Sequence, residues 1–157
     1  MQFPQILVYE SDGVLAAMLR ETAKAKRWAL REARKPESCL RLLRDPCPTV
    51  LVVKIATHVK REAALPVKAE EEQQRAADRE KEQVRSLELL ARVHETVPDT
   101  AIVAVGDAED AGLASLAWDF GASYVLVPPH TRQMLPDIVA GLMEETIAKS
   151  KFGVMEN

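Results

Sequence analysis

The chain has 157 residues, 47% of them hydrophobic and 29% charged, with a formal net charge of −3. That length suits one domain able to bury about 70% of its unfolded surface, and the composition excludes wholesale disorder, collagen-like repeats and disulfide-stapled scaffolds. A pI near 5.7 argues against nucleic-acid binding by the surface as a whole, and no apolar run approaches the roughly 18–20 residues of a membrane span.

Ile6-Leu7-Val8-Tyr9 is a short, almost continuous apolar run that stops at Glu10-Ser11-Asp12-Gly13. It predicts a strand buried on both faces, followed by a turn. Leu15, Met18, Leu19, Thr22 and Ala23 then recur at helical spacing, with Ser11 or Asp12 available as the N-cap. Trp28–Ala33 alternates weakly and reads as a second strand near an edge. Pro36-Glu37-Ser38 opens a short helix with apolar Cys39, Leu40, Leu42 and Leu43, ended by the prolines of Asp45-Pro46-Cys47-Pro48. Thr49–Ile55, dense in β-branched residues, is the strongest strand signal in the chain and predicts a central strand.

Residues 60–99 break the rhythm, with ten acidic and eight basic side chains. Val84, Leu87, Leu90, Ala91 and Val97 form a helical stripe able to dock on a sheet, whereas 68–82 are polar on every side. A helix from Pro66 to Val97 would be about 48 Å long at 1.5 Å per residue. Its upstream part is read as a charged insertion over about 58–83, either a solvated extension or a projecting arm. Without an apolar heptad over 66–83 it is no self-sufficient coiled coil. A fourth strand follows at Thr100–Val105, ending at Gly106-Asp107, then a helix over about Ala111–Phe120 closed by Gly121. Ser123–Val127 is the fifth strand, ended by Pro128-Pro129. The last helix carries Leu135, Ile138, Val139, Leu142, Met143 and Ile147 on one stripe, and Pro136 fits only its first turn.

Strands alternating with helices imply a parallel sheet covered on both faces, an α/β three-layer, doubly wound sandwich. Chemistry in such folds gathers at the carboxyl ends of the strands. Here those ends carry Glu10-Ser11-Asp12, Lys54, Gly106-Asp107 and Pro128-Pro129.

In the order and spacing of these landmarks the chain resembles the CheY-like receiver domain of two-component response regulators, over roughly Gln5 to Glu145. The resemblance implies a flavodoxin-like, five-stranded sheet of order 2-1-3-4-5 with an extended third helix. It also implies one receiver-like domain over 1–148 and a tail over 149–157, too short for an output domain. The family's first strand ends in an acidic cluster, matched by Glu10-Ser11-Asp12. Lys54 aligns with the phosphoacceptor aspartate at the end of the third strand, and Gly106 with the serine or threonine that ends the fourth. The fifth strand follows a Gly-Ala pair, Gly121-Ala122 here, and Pro128-Pro129 stand for its closing Lys-Pro.

Each departure removes a functional group. Lys54 cannot form an acyl phosphate. Of the Mg²⁺-binding carboxylates one is kept as Glu10, one replaced by Ser11 and one lost to Lys54, whereas Mg²⁺ demands near-octahedral oxygen ligation. Gly106 and Pro128 supply neither hydroxyl nor ammonium for phosphoryl oxygens. Glu10, Ser11, Asp12, Lys54, Gly106, Pro128 and Pro129 are thus read as a degenerate phosphorylation site in a pseudo-receiver, and the chain as no enzyme. The family geometry implies that Lys54 lies within reach of Glu10 and perhaps Asp12, an ammonium in place of Mg²⁺. It also implies a cis bond between Pro128 and Pro129.

The remaining candidates read as structural. His58, His94 and His130 share no metal-ligand spacing, Cys39 lies on an apolar face, Met134 and Met143 are core or interface residues, and no Gly-rich phosphate loop is present. No cofactor or metal is expected. The amino terminus, Met1-Gln2-Phe3-Pro4-Gln5-Ile6, has no export-signal pattern, and Cys39 and Cys47 lack metal-type spacing, so a cytoplasmic setting is expected. The function expected is a phosphorylation-independent module of signal transduction. It would bind a protein partner or form a homodimer through the fourth helix (Ala111–Phe120), fifth strand (Ser123–Val127) and fifth helix (Thr131–Ile147), with no membrane and no direct nucleic-acid contact. The alternative is a sensor binding a small molecule at the altered strand-end pocket.

Overall fold

The structure, a computed structural model, describes residues 4–44, 47–56, 68–128 and 132–155. Five strands, β1 (Gln5–Tyr9), β2 (Ala29–Ala33), β3 (Val50–Lys54), β4 (Ala101–Val105) and β5 (Tyr124–Leu126), form one sheet in the order β2-β1-β3-β4-β5. Every pairing is parallel. The helices are α1 (Val14–Lys26), α2 (Pro36–Leu42), α3 (Ala69–Thr96), α4 (Ala114–Asp119) and α5 (Leu135–Met155). The expected fold class and strand order are therefore observed.

The pleat divides the core into two layers. Leu7, Leu51, Val53, Ile102 and Ala104 face α2, α3 and α4, where they meet Cys39, Leu43, Leu90, Val93 and Ala117. Ile6, Val8, Val50, Val52 and Val103 point the other way, onto Leu15 and Leu19 of α1 and Leu135, Val139 and Met143 of α5. Because β1, β3 and β4 are covered on both sides, their sequences are continuous apolar runs rather than alternating ones. The outer strand β2 keeps Arg31 and Glu32 only partly covered or exposed. Burial makes Cys39 inert: it pushes the thiol up to about 12, where no thiolate forms near neutral pH.

Three local expectations need correction. The N-cap of α1 is Gly13, at φ 80°, and neither Ser11 nor Asp12 occupies that position. Only glycine takes such a left-handed turn without a Cβ penalty. On α3 the buried face runs through Leu87, Leu89, Leu90 and Val93, while Val84 is 49% exposed, because the helix is rotated relative to the predicted stripe. Before α4, Ala108–Leu113 wind as 3₁₀ helix, and α-helical bonding starts only at Ala114. Gly121, at φ 108°, closes α4 as expected, and a side chain there would run into the His94 ring.

The helix α3 spans 28 residues, about 42 Å. Its second half packs on the sheet. The first half covers 69–83 of the predicted insertion and extends beyond the sheet, with Arg75, Arg79, Glu82 and Gln83 turned inward. The last helix, α5, continues to Met155, past residue 149 where the sequence reading begins a tail. No helix among the described residues is long and apolar enough to cross a membrane.

Candidate functional site at the carboxyl ends of the strands

Glu10 follows β1 directly and is fully buried. Its Oε1 accepts from the Leu15 N–H at 2.8 Å and its Oε2 from the Ala16 N–H at 2.7 Å, so one carboxylate satisfies two of the orphan donors that open α1. The Val14 N–H donates to Asp12 Oδ1 at 3.2 Å. Two acidic side chains thus sit at the positive end of the α1 dipole. Burial pushes the Glu10 carboxyl above its ordinary range, opposed by the two N–H donors and reinforced by Asp12. Asp12 moves the other way. Its partial burial is outweighed by the Val14 N–H, the Lys54 ammonium and the Glu10 carboxyl, and it titrates below the usual aspartate range.

Lys54 ends β3, in register with Val105 of β4. Its Nζ lies 3.1 Å from Asp12 Oδ2, and its side chain is only 13% exposed, so it bends back over the strand ends instead of extending to solvent. The expected pairing is thereby divided: Lys54 takes Asp12, and Glu10 turns to the helix. Ser11 is exposed beside them.

Gly106 leaves β4 with its N–H on the Leu126 carbonyl. A Cβ there would stand 2.8 Å from Asp110 Cβ and 3.1 Å from Val127 Cγ1, so the space for a side chain is already filled. Pro128 is exposed just past β5. Pro129, and with it the expected cis bond, lies outside the described residues, as do His58 and His130.

A second charged cluster borders this site. Asp107 and Asp110 form a capping box at the 3₁₀ turn, with the Asp107 N–H donating to Asp110 Oδ2 at 2.8 Å. Asp110 is fully buried. From the extended part of α3, Arg79 Nη2 reaches Asp110 Oδ2 at 2.8 Å, Asp107 Oδ2 at 3.5 Å and Glu109 Oε2 at 3.8 Å, and Gln83 Nε2 donates to Asp110 Oδ1 at 2.8 Å. Arg132, just before α5, pairs with Asp107 from the other side. Asp107 stands out in the sequence at the end of β4, but neither Arg79 nor Arg132 does. The signal available was the Asp-x-x-Asp spacing after a strand, which marks a cap. Nothing local announces an arginine 31 positions away.

The receiver fold implies Mg²⁺, and the donor set does not fit that ion. Mg²⁺ needs several hard oxygen ligands in octahedral array, yet both Glu10 oxygens are committed to α1 and an ammonium occupies Asp12. No group of three His, Cys, Asp or Glu side chains suited to a metal occurs among the described residues. A cleft of about 630 Å³ lies at the opposite end of the sheet, between Pro98–Ala101, Ser123 and the later turns of α5.

No family model matches the chain, and no curated protein matches it in sequence. Solved structures do. A CheY-like receiver domain from Methanospirillum hungatei is similar over 94% of this chain and 99% of its own, at TM-score 0.64 and 13% identity. A response regulator from Thermotoga maritima gives TM-score 0.66 and 15% identity over 91% of this chain and 99% of its own. NtrX from Brucella abortus gives TM-score 0.68 and 16% identity over 98% of this chain but only 30% of its own length. The fold is that of CheY-like response-regulator receiver domains.

Proposed function

We propose that the chain is a phosphorylation-independent pseudo-receiver that acts in signalling by binding protein, and is not an enzyme. The observation that carries this reading is Lys54, whose ammonium caps Asp12 at the strand end where the related fold carries an acceptor carboxylate. An amine in that position offers no acyl phosphate, and its charge offsets Asp12 permanently, without a metal.

The binding role is supported by the surface of α4. Leu116, Trp118 and Phe120 are 43%, 46% and 38% exposed, and Met134 before α5 is 40% exposed. Trp118 meets Tyr124 of β5 edge-on, with ring centroids 6.1 Å apart, so the aromatic is held in place while much of it faces solvent. Large apolar side chains rigidly displayed are the residues that dominate protein interfaces. A second copy of the chain is the occupant we propose first, on the receiver resemblance alone, with a separate protein partner as the alternative.

Incubation with acetyl phosphate and Mg²⁺ should give no phosphoryl adduct by intact mass. A stable adduct on an acidic residue of the strand-end cluster would overturn phosphorylation independence. Light scattering should give twice the 17.4 kDa chain mass, and Trp118→Ser should weaken the dimer by about tenfold or more, the scale of a buried aromatic anchor. A monomer at every concentration reached would end the homodimer assignment.

A further inference from the structure

The charged cluster at the 3₁₀ turn joins three elements that are distant in sequence: the extended half of α3, the segment after β4, and the start of α5. We infer that this cluster is a latch, in which Arg79 and Gln83 of α3, with Arg132, hold Asp107 and Asp110 and so fix the position of α4. As a control of docking it rests on the proposed use of the α4 face; as a latch it stands on its own geometry.

Asp110 has no exposure to water, and its acceptors are filled by the Asp107 N–H, Arg79 and Gln83. Two of these three bonds come from α3. The local capping box alone therefore leaves the buried carboxylate under-satisfied, a state that burial penalises. The 3₁₀ winding of Ala108–Leu113 is intrinsically weaker than α-helix, so the segment needs support from outside itself. Extending α3 toward Ala69 supplies that support, since a helix starting at Val84 would include neither Arg79 nor Gln83.

The geometry also makes the latch releasable. Arg79 makes all three of its acidic contacts through Nη2. Its Nε is buried without a partner, alone in this among the side-chain atoms of the described residues. Arginine usually binds carboxylate as a two-pronged fork. Here the contacts run through one nitrogen instead of a fork, and such a contact is the weaker of the two. Trp118 and its exposed neighbours lie on the helix that begins immediately after the latched turn, so release moves the apolar face directly.

Hydrogen exchange on the full chain tests this. Arg79→Met should speed exchange of the amides of 107–119 by about tenfold or more and leave β1 and β3 near their original rates, the pattern of a local rather than a global opening. Because a single nitrogen makes the contacts, Arg79→Lys should stay within about threefold of the original protein. Should Arg79→Met fail to fold, Gln83→Ala, which removes one neutral donor, should give a smaller rise confined to the same segment. Unchanged exchange over 107–119 in a folded Arg79→Met, or in Gln83→Ala if Arg79→Met does not fold, would overturn the latch, as would an equal rise throughout the sheet. The measurement needs no partner, so its failure is separate from a failure of the binding role.

Discussion

Glu10→Ala should cost about 2 kcal/mol of stability, roughly a thirtyfold change in the folding equilibrium, measured by urea denaturation. The carboxylate accepts two buried N–H groups, those of Leu15 and Ala16, and alanine leaves both with no acceptor in a site that excludes water. Each buried donor left unmade costs about 1–3 kcal/mol. Part is recovered because a fully buried carboxyl no longer has to be desolvated, which keeps the net below the sum. The pH dependence fixes the sign of that recovery. Burial raises the Glu10 pKa on folding, so the folded state binds more protons than the unfolded chain between the ordinary glutamate range and the raised value. Stability from this group is therefore fullest below the ordinary range and declines as pH rises through the folded value. The gap between the original protein and Glu10→Ala should accordingly be wider at mildly acidic than at neutral pH. A gap that widens toward neutral pH would contradict the raised value, and an unchanged midpoint would contradict the role in opening α1.

Gly106→Thr, the change that would place a hydroxyl at the end of β4, should destabilise by about 2–3 kcal/mol, the upper part of the usual cost of overpacking. The cause is Asp110. A Cβ at 106 would lie 2.8 Å from its Cβ and 3.1 Å from its Oδ2, and Asp110 cannot swing away without releasing Arg79, Gln83 and the Asp107 N–H. Chemical denaturation of Gly106→Thr beside the original protein measures it. A variant of equal stability would mean that Asp110 yields easily. The expected loss says that the end of β4 is packed around the glycine, so that a side chain there comes only with displacement of Asp110.

The sheet was legible because its signals are local. The apolar runs Ile6–Tyr9 and Val50–Val53 read as short strands covered on both faces, and their pairing is the one the receiver resemblance implies. Gly121 was legible for the same reason, as a left-handed residue just past a helix. The rotation of α3 was not. Val84 and Leu89 are equally apolar, and which of them is buried depends on the angle at which the helix meets the sheet. At the site, Lys54 could be named as a departure and Glu10 as a retained carboxylate from sequence, yet their partners were decided by geometry. Glu10 lies five and six residues before the amides it binds, within reach of the α1 opening, and that local bond prevailed over the distant ammonium. Arg79 was hidden altogether, since in a segment of eighteen charges nothing in the chain order marks those that turn inward.

The outer strand β2 carries charge at one rim of the sheet. An uncovered strand at the rim of a sheet is a template for another backbone, and proteins suppress such lateral growth by placing charge there. On β2, Arg31 reaches to Gln5 and Glu32 is paired with Arg34, so any incoming strand would have to bury or break charged contacts along that border. Edge-to-edge extension of the sheet is disfavoured on that side.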